Sequence, residues 1–216
     1  NGNLAMSFHS GRGRFPDFFI AGAPRCGTTA LWAWLRGHPG VFTPARKELY
    51  FFADDLEDLK RKALVPRNLE EYCGLFRRAR ENQLCGEASV FYLFSSVAIP
   101  RILELNPAAK FIVIVRDPVQ MVYSWYWHCR CILWEEAEDF ATAWGLQQRR
   151  ARGEMIPSGC AEPRLLQYKR VCALGSQLSR FVDWVPPRQR LILTLDELTH
   201  DPPGCYRRML EFLELP

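Results

Sequence analysis

The sequence predicts an α/β domain: a parallel sheet with helices on both faces. Three observations point to it. Two short apolar runs, Phe18 to Ala21 and Lys110 to Val115, read as strands buried on both sides. Helical stretches punctuated by glycine or proline follow them. This alternation of strand and helix recurs along the chain, which is the pattern of a parallel sheet. The 216 residues, 48% hydrophobic and 24% charged, are enough for one domain with a substantial core.

Residues 1–16 open with the Gly/Ser/Arg-rich NGNLAMSFHSGRGR and read as a flexible tail, with a single domain over 17–216. Phe18 to Ala21 is the first strand. Thr28 to Arg36 is a helix, closed by Gly37 before His38-Pro39. Lys47 to Phe52 (KELYFF) is a brief extended or turn segment, and residues 54–82 read as polar surface helices broken at Pro66. Gly86-Glu87-Ala88-Ser89 leads into an apolar stretch. Pro100 to Leu105 is a helix ended by Asn106-Pro107, and Lys110 to Val115 is the clearest buried strand. After it Asp117 caps a helix whose first residue is Pro118, where a missing N–H costs nothing. Helices over 136–151 and 164–184, a strand from Leu191 to Leu195 and a helix from Pro203 to Leu213 complete the reading.

In open α/β sheets, ligands bind beyond the carboxyl ends of the strands. The stretch Ala21 to Thr29 lies there, with glycines at 22 and 27 and threonines at 28 and 29, as in a P-loop whose lysine is missing. The free N–H groups at the start of the following helix attract an anion. Thr28 and Thr29 add hydroxyl donors, Gly27 allows close approach, and Arg25 adds a permanent, forked charge. An ordinary glycine-rich strand-to-helix turn would share the glycines. The whole run Pro24 to Thr29 favours the anion. Arg116, at the carboxyl end of the central strand, and Ser124, two helical turns later, can face the same crevice and fit a second phosphate; taken singly, Arg116 reads as a surface ion pair and Ser124 as a helix-surface residue. Asp117 as a helix cap points away from any metal, so the site reads as an anion neutralised by protein cations, with no metal ligand.

The formal net charge of +4 suits a small anionic ligand and lacks the dense basic stripe of a nucleic-acid binder. No apolar run reaches the ~20 residues of a membrane span, and no signal peptide is visible. The eight cysteines are scattered without paired CxxC spacing and read mostly as buried or free thiols. The expectation is a cytoplasmic protein, or a Golgi-lumenal or secretory one if an upstream anchor was removed.

These residues resemble the PAPS-dependent sulfotransferases, whose donor is 3′-phosphoadenosine 5′-phosphosulfate. Ala23 to Thr29 is similar to the family's 5′-phosphosulfate loop, and Val115-Arg116-Asp117-Pro118 through Ser124-Trp125-Tyr126 to its 3′-phosphate motif. Within the family, KELYFF and Gly86 to Ser89 resemble segments of the heparan-type carbohydrate sulfotransferases and their bacterial relatives. The resemblance implies a P-loop-like fold and PAPS, released as adenosine 3′,5′-bisphosphate and bound by Arg25, Cys26, Gly27, Thr28, Thr29, Arg116 and Ser124. It implies transfer of sulfonate to a hydroxyl or amine of a small-molecule or saccharide acceptor.

In this reading Arg25 acts electrostatically, since a guanidinium cannot donate its proton. Glu48 is the candidate general base. The plain alternative for Glu48 is a surface carboxylate paired with Lys47. Tyr50, Phe51 and Phe52 read as core, and their desolvation raises the Glu48 pKa. His128, one turn past Ser124, is the rival base, while His38 reads as helix-end punctuation. Ala88 stands where carbohydrate-acting members often have lysine, which argues against a glycosaminoglycan acceptor. The sequence stops at Pro216, before the family's C-terminal loop over the 3′-phosphate; if that segment is truly absent, donor affinity should be reduced. The alternatives are a degenerate P-loop kinase or NTPase, and an inactive nucleotide-binding domain.

Overall fold

The structure is a computed structural model that describes residues 13–62 and 65–216. Five parallel strands form one sheet in the order β2-β3-β1-β4-β5, with helices around it. The chain opens with β1 (Phe18–Gly22), every residue of which is buried. It continues through α1 (Thr28–Gly37) to the edge strand β2 (Val41–Phe42). Then come α2 (Glu57–Lys62), α3 (Leu69–Gly74), β3 (Leu84–Ala88), α4 (Ala98–Leu105) and β4 (Lys110–Val115). The second half holds α5 (Pro118–Cys131), α6 (Phe140–Gly145), α7 (Gln147–Ala151), α8 (Tyr168–Val171) and α9 (Leu174–Trp184). It ends with β5 (Arg190–Thr194), α10 (Leu195–His200) and α11 (Pro202–Leu213).

β1 lies between β3 and β4, so the chain winds to one side of β1 and then returns to the other. Loops after β1 and β4 therefore flank the switch point, where open α/β sheets bind ligands.

The strongest local signals are realised. Pro118 is the first residue of α5, and the Asp117 carboxylate accepts from Gln120 N–H at 2.8 Å. Longer expected helices are shorter or broken. Among the described residues, 54–82 hold α2 and α3 alone, and the stretch 136–151 divides into α6 and α7. The stretch 164–184 becomes a 3-10 turn at Pro163–Leu166 followed by α8 and α9. For the breaks in 136–151 and 164–184 the reason is a buried ion pair. Glu135 accepts two hydrogen bonds from Arg150, at 2.5 and 2.6 Å, and a third from the Tyr168 hydroxyl at 2.6 Å. This pins the segment against α5 and overrides helix continuity. The pair lowers the Glu135 pKa against the opposing effect of burial.

Residues 1–12 of the expected tail lie outside the described residues. Residues 14–15 are held in place: Arg14 donates to the carbonyls of Arg80 and Gln83 at 3.0 and 2.9 Å, and the Phe15 ring packs on Phe19, Phe52 and Tyr72. All eight cysteines are free thiols, and only Cys131 is exposed. Among the described residues no helix is long and apolar enough to cross a membrane.

Candidate functional site

The turn after β1 delivers the chain into α1 through two left-handed residues, Arg25 (φ 61) and Gly27 (φ 97). Only glycine fits the second position. A Cβ at Gly27 would stand 2.8 Å from Leu198 Cδ2, because α10 backs the turn. No side chain caps α1, and its first turn holds no acidic residue, which leaves its N–H groups for a ligand. Cys26 contributes only backbone: its buried thiol faces the Pro24 carbonyl at 3.3 Å, and burial pushes its pKa up to about 12.

Arg25, Arg116 and Ser124 meet at this turn. Arg25 Nε donates to Ser124 Oγ at 3.1 Å, and Arg116 donates through one terminal nitrogen to the Arg25 carbonyl at 3.2 Å. The other terminal nitrogen of Arg116 donates to Gln120 Oε1 at 2.8 Å, while its Nε is buried and unpartnered among the described residues. An orphaned guanidinium N–H beside a second arginine and a serine hydroxyl suits a doubly charged oxyanion.

Across the turn, Lys47 Nζ donates to Thr28 Oγ1 at 3.3 Å and Thr29 Oγ1 at 3.2 Å, and lies 3.4 Å from Glu48 Oε1. In the sequence Lys47 stands out only as a partner for Glu48. The available signal was a basic residue next to the base candidate in a chain whose phosphate turn lacks its lysine.

Glu48 is thus paired with Lys47, yet it is no simple surface carboxylate. Its side chain is about a quarter exposed, and its Oε2 accepts from Val90 N–H at 2.9 Å. Burial raises its pKa, opposed chiefly by the Lys47 charge. Its backbone is left-handed (φ 65), as is that of Tyr50 (φ 51). Such strain, roughly 1–3 kcal/mol per residue, persists only where the surroundings enforce it.

Here the enforcement comes from the end of β3. Glu48 N–H donates to the Ala88 carbonyl at 3.0 Å and Tyr50 N–H to Ser89 Oγ at 2.9 Å. Ser89 in turn donates to Glu87 Oε1 at 2.5 Å, while the Tyr72 and Tyr92 hydroxyls both donate to Glu87 Oε2 at 2.9 Å. Glu87 is fully buried, and burial pushes its pKa up to about 7 against those three hydrogen bonds. Leu49 to Phe52 are core, with Phe51 stacked on Tyr72 at 4.6 Å.

His128 is half-buried on α5 with its ring 5.2 Å from that of Trp125. Burial and the nearby Arg25 charge lower its pKa, which favours the neutral imidazole. His38 sits at the other end of α1 as its C-cap, with Nε2 3.1 Å from the Pro216 carbonyl. Among the described residues no group of three His, Cys, Asp or Glu side chains could hold a metal ion.

The human bifunctional heparan sulfate N-deacetylase/N-sulfotransferase 3 is 29% identical over 205 residues, covering 93% of this chain and 22% of that protein. The mouse heparan sulfate glucosamine 3-O-sulfotransferase 6 is 30% identical over 215 residues, covering 98% of this chain and 56% of that one. This chain therefore spans from about a fifth to a little over half of these relatives. The crystal structure of a sulfotransferase from Alicyclobacillus acidocaldarius superposes with a TM-score of 0.83 at 29% identity, over 94% of this chain and 82% of that one. A family model described as the sulfotransferase family matches residues 16–216, from Pro16 through the phosphate turn, the Glu48 loop and the Arg116 strand end, and the chain belongs to that family.

Proposed function

We propose that this chain transfers a sulfonate group from PAPS to a hydroxyl or amine of a saccharide acceptor, with Glu48 as general base. The observation that carries the reading is the convergence of Arg25, Arg116 and Ser124 on one lysine-less turn at the sheet's switch point. Arg116 and Ser124 hold the 3′-phosphate, to which the orphaned Arg116 Nε adds a donor. The N–H groups and hydroxyls of Thr28 and Thr29 hold the 5′-phosphosulfate at the positive end of α1.

Glu48 takes the proton from the acceptor as the new bond to sulfur forms. The bond between sulfur and the bridging oxygen breaks, and its electron pair stays on the 5′-phosphate. Cations already placed around the turn stabilise that charge. The saccharide acceptor is inferred from the relatives, whose names state heparan sulfate and its glucosamine. A kinase or NTPase reading is disfavoured by Asp117, which is committed to capping α5.

Calorimetric titration tests the donor site. Adenosine 3′,5′-bisphosphate binds in the presence of EDTA, and ATP with magnesium does not displace it. Labelled-donor transfer to a panel of saccharides, phenols, lipids and peptides tests the reaction. Binding without transfer to any member would favour an inactive nucleotide-binding domain.

A further inference from the structure

The phosphate turn has no lysine of its own, yet an ammonium sits on it. Three oxygens, Thr28 Oγ1, Thr29 Oγ1 and Glu48 Oε1, surround Lys47 Nζ within 3.4 Å, one for each N–H an ammonium can offer. Its location is electrostatically unusual. The N-terminal end of a helix already carries about half a positive charge, so a cation there is disfavoured unless an anion accompanies it. Lys47 lies on the α1 threonines, Arg25 and Arg116 lie at the turn before α1, and Glu48 is the carboxylate paired with Lys47 there. The surplus positive charge calls for a multiply charged ligand.

The two basic side chains flanking the turn also face different ways. Arg25 is drawn toward α5 by Ser124, and its carbonyl is held by Arg116, so its guanidinium belongs with the second anion site. Lys47 alone among these cations touches both the α1 hydroxyls and the base candidate.

We propose that Lys47, reaching in from the loop after β2, is the catalytic cation that takes the place of the missing turn lysine. Resting on the sulfotransferase reading above, it contacts the bridging oxygen of the 5′-phosphosulfate and keeps Glu48 ionised. The acceptor oxygen or nitrogen forms its bond to sulfur and its proton passes to Glu48. The bond from sulfur to the bridging oxygen breaks, and the electron pair it leaves on the 5′-phosphate is neutralised by the Lys47 ammonium. One charge serves both ends of the transfer, and the flexible stem of lysine lets its N–H groups turn from the threonine hydroxyls to the phosphate.

The test compares two nucleotides by calorimetry on the wild type, Lys47→Ala and Lys47→Arg. Adenosine 3′,5′-bisphosphate carries the 5′-phosphate, and adenosine 3′-monophosphate lacks it. Lys47→Ala should bind the bisphosphate about tenfold more weakly and the monophosphate within about twofold of wild type, the loss of one charge-assisted contact. With the best acceptor from the panel, kcat should fall by about a hundredfold or more, and Lys47→Arg should recover part of it. The acid limb of the kcat profile should move to higher pH, because Glu48 loses its neighbouring cation.

Equal effects on the two nucleotides, or kcat within about threefold of wild type, overturn the assignment of Lys47 alone. A wild-type chain that fails to bind the bisphosphate overturns the sulfotransferase reading and this proposal together.

Discussion

Replacing Glu48 by glutamine removes the proposed base while changing almost nothing else. The amide matches the carboxylate in size and can still accept from Val90 N–H, the 2.9 Å bond that orients the side chain. The backbone bonds from Glu48 to Ala88 and from Tyr50 to Ser89 are untouched, so the strained loop should persist. General base catalysis contributes about 10²–10⁴ in rate, so Glu48→Gln should lose at least about a hundredfold in kcat, or ~2.7 kcal/mol of transition-state stabilisation. The affinity for adenosine 3′,5′-bisphosphate should stay within about threefold, since an uncharged amide in place of the carboxylate leaves the phosphate contacts intact.

The pH profile provides a second readout. Burial holds the Glu48 pKa above its ordinary value of 4.5, and only the carboxylate accepts a proton. The wild-type rate should therefore fall as pH drops through that raised pKa, and the variant should lack this limb. The assay is labelled-donor transfer at saturating acceptor from acid to neutral pH, alongside calorimetry. A variant that turns over within tenfold of wild type and keeps the acid limb would refute the assignment and move the base role to His128 first.

Three further outcomes follow from the geometry. Arg116→Ala should weaken adenosine 3′,5′-bisphosphate by about 10–100-fold and adenosine 5′-monophosphate far less, because the lost guanidinium serves the 3′-phosphate; equal losses by calorimetry would contradict that. Gly27→Ala should cost about 1–3 kcal/mol in denaturant unfolding and weaken nucleotide binding, since φ 97 is strained for any Cβ and the new atom meets Leu198 Cδ2 at 2.8 Å. The folded chain keeps a proton on Glu87 up to about pH 7, whereas an ordinary carboxyl has released it by about 4.5. Stability should therefore fall as pH rises across that window, and Glu87→Gln should flatten the slope in urea midpoints; identical slopes would show that Glu87 does not titrate there.

Much of the fold was legible because its signals are local. β1 and β4 are apolar runs, α1 ends at Gly37, and α5 starts with Pro118 under the Asp117 cap. The meeting of Arg25, Arg116 and Ser124 at the turn after β1 was likewise readable, because these residues follow directly from the ends of adjacent strands. Other elements were harder to read. β2 is only two residues long, and β3 hides the carboxyl of Glu87 inside a strand, tolerable only because the hydroxyls of Ser89, Tyr92 and Tyr72 reach it. α10 did announce itself, through a capping box between Thr194 and Glu197, but reading the strand through Leu195 concealed it.

The sequence by itself determined the alternation of strand and helix around β1 and β4, the glycine turn after β1 and the residue types grouped near it. These depend on neighbours a few positions apart, where dihedral preference and hydrophobic period decide. Only the tertiary structure decided what Glu48 and Lys47 face. The crossover through β2 brings Lys47 back onto the threonines at the start of α1, and the end of β3 clamps the Glu48 loop in a left-handed conformation. Such placement is set by strand pairing and by buried hydrogen bonds between residues far apart in the chain, and no local pattern encodes it.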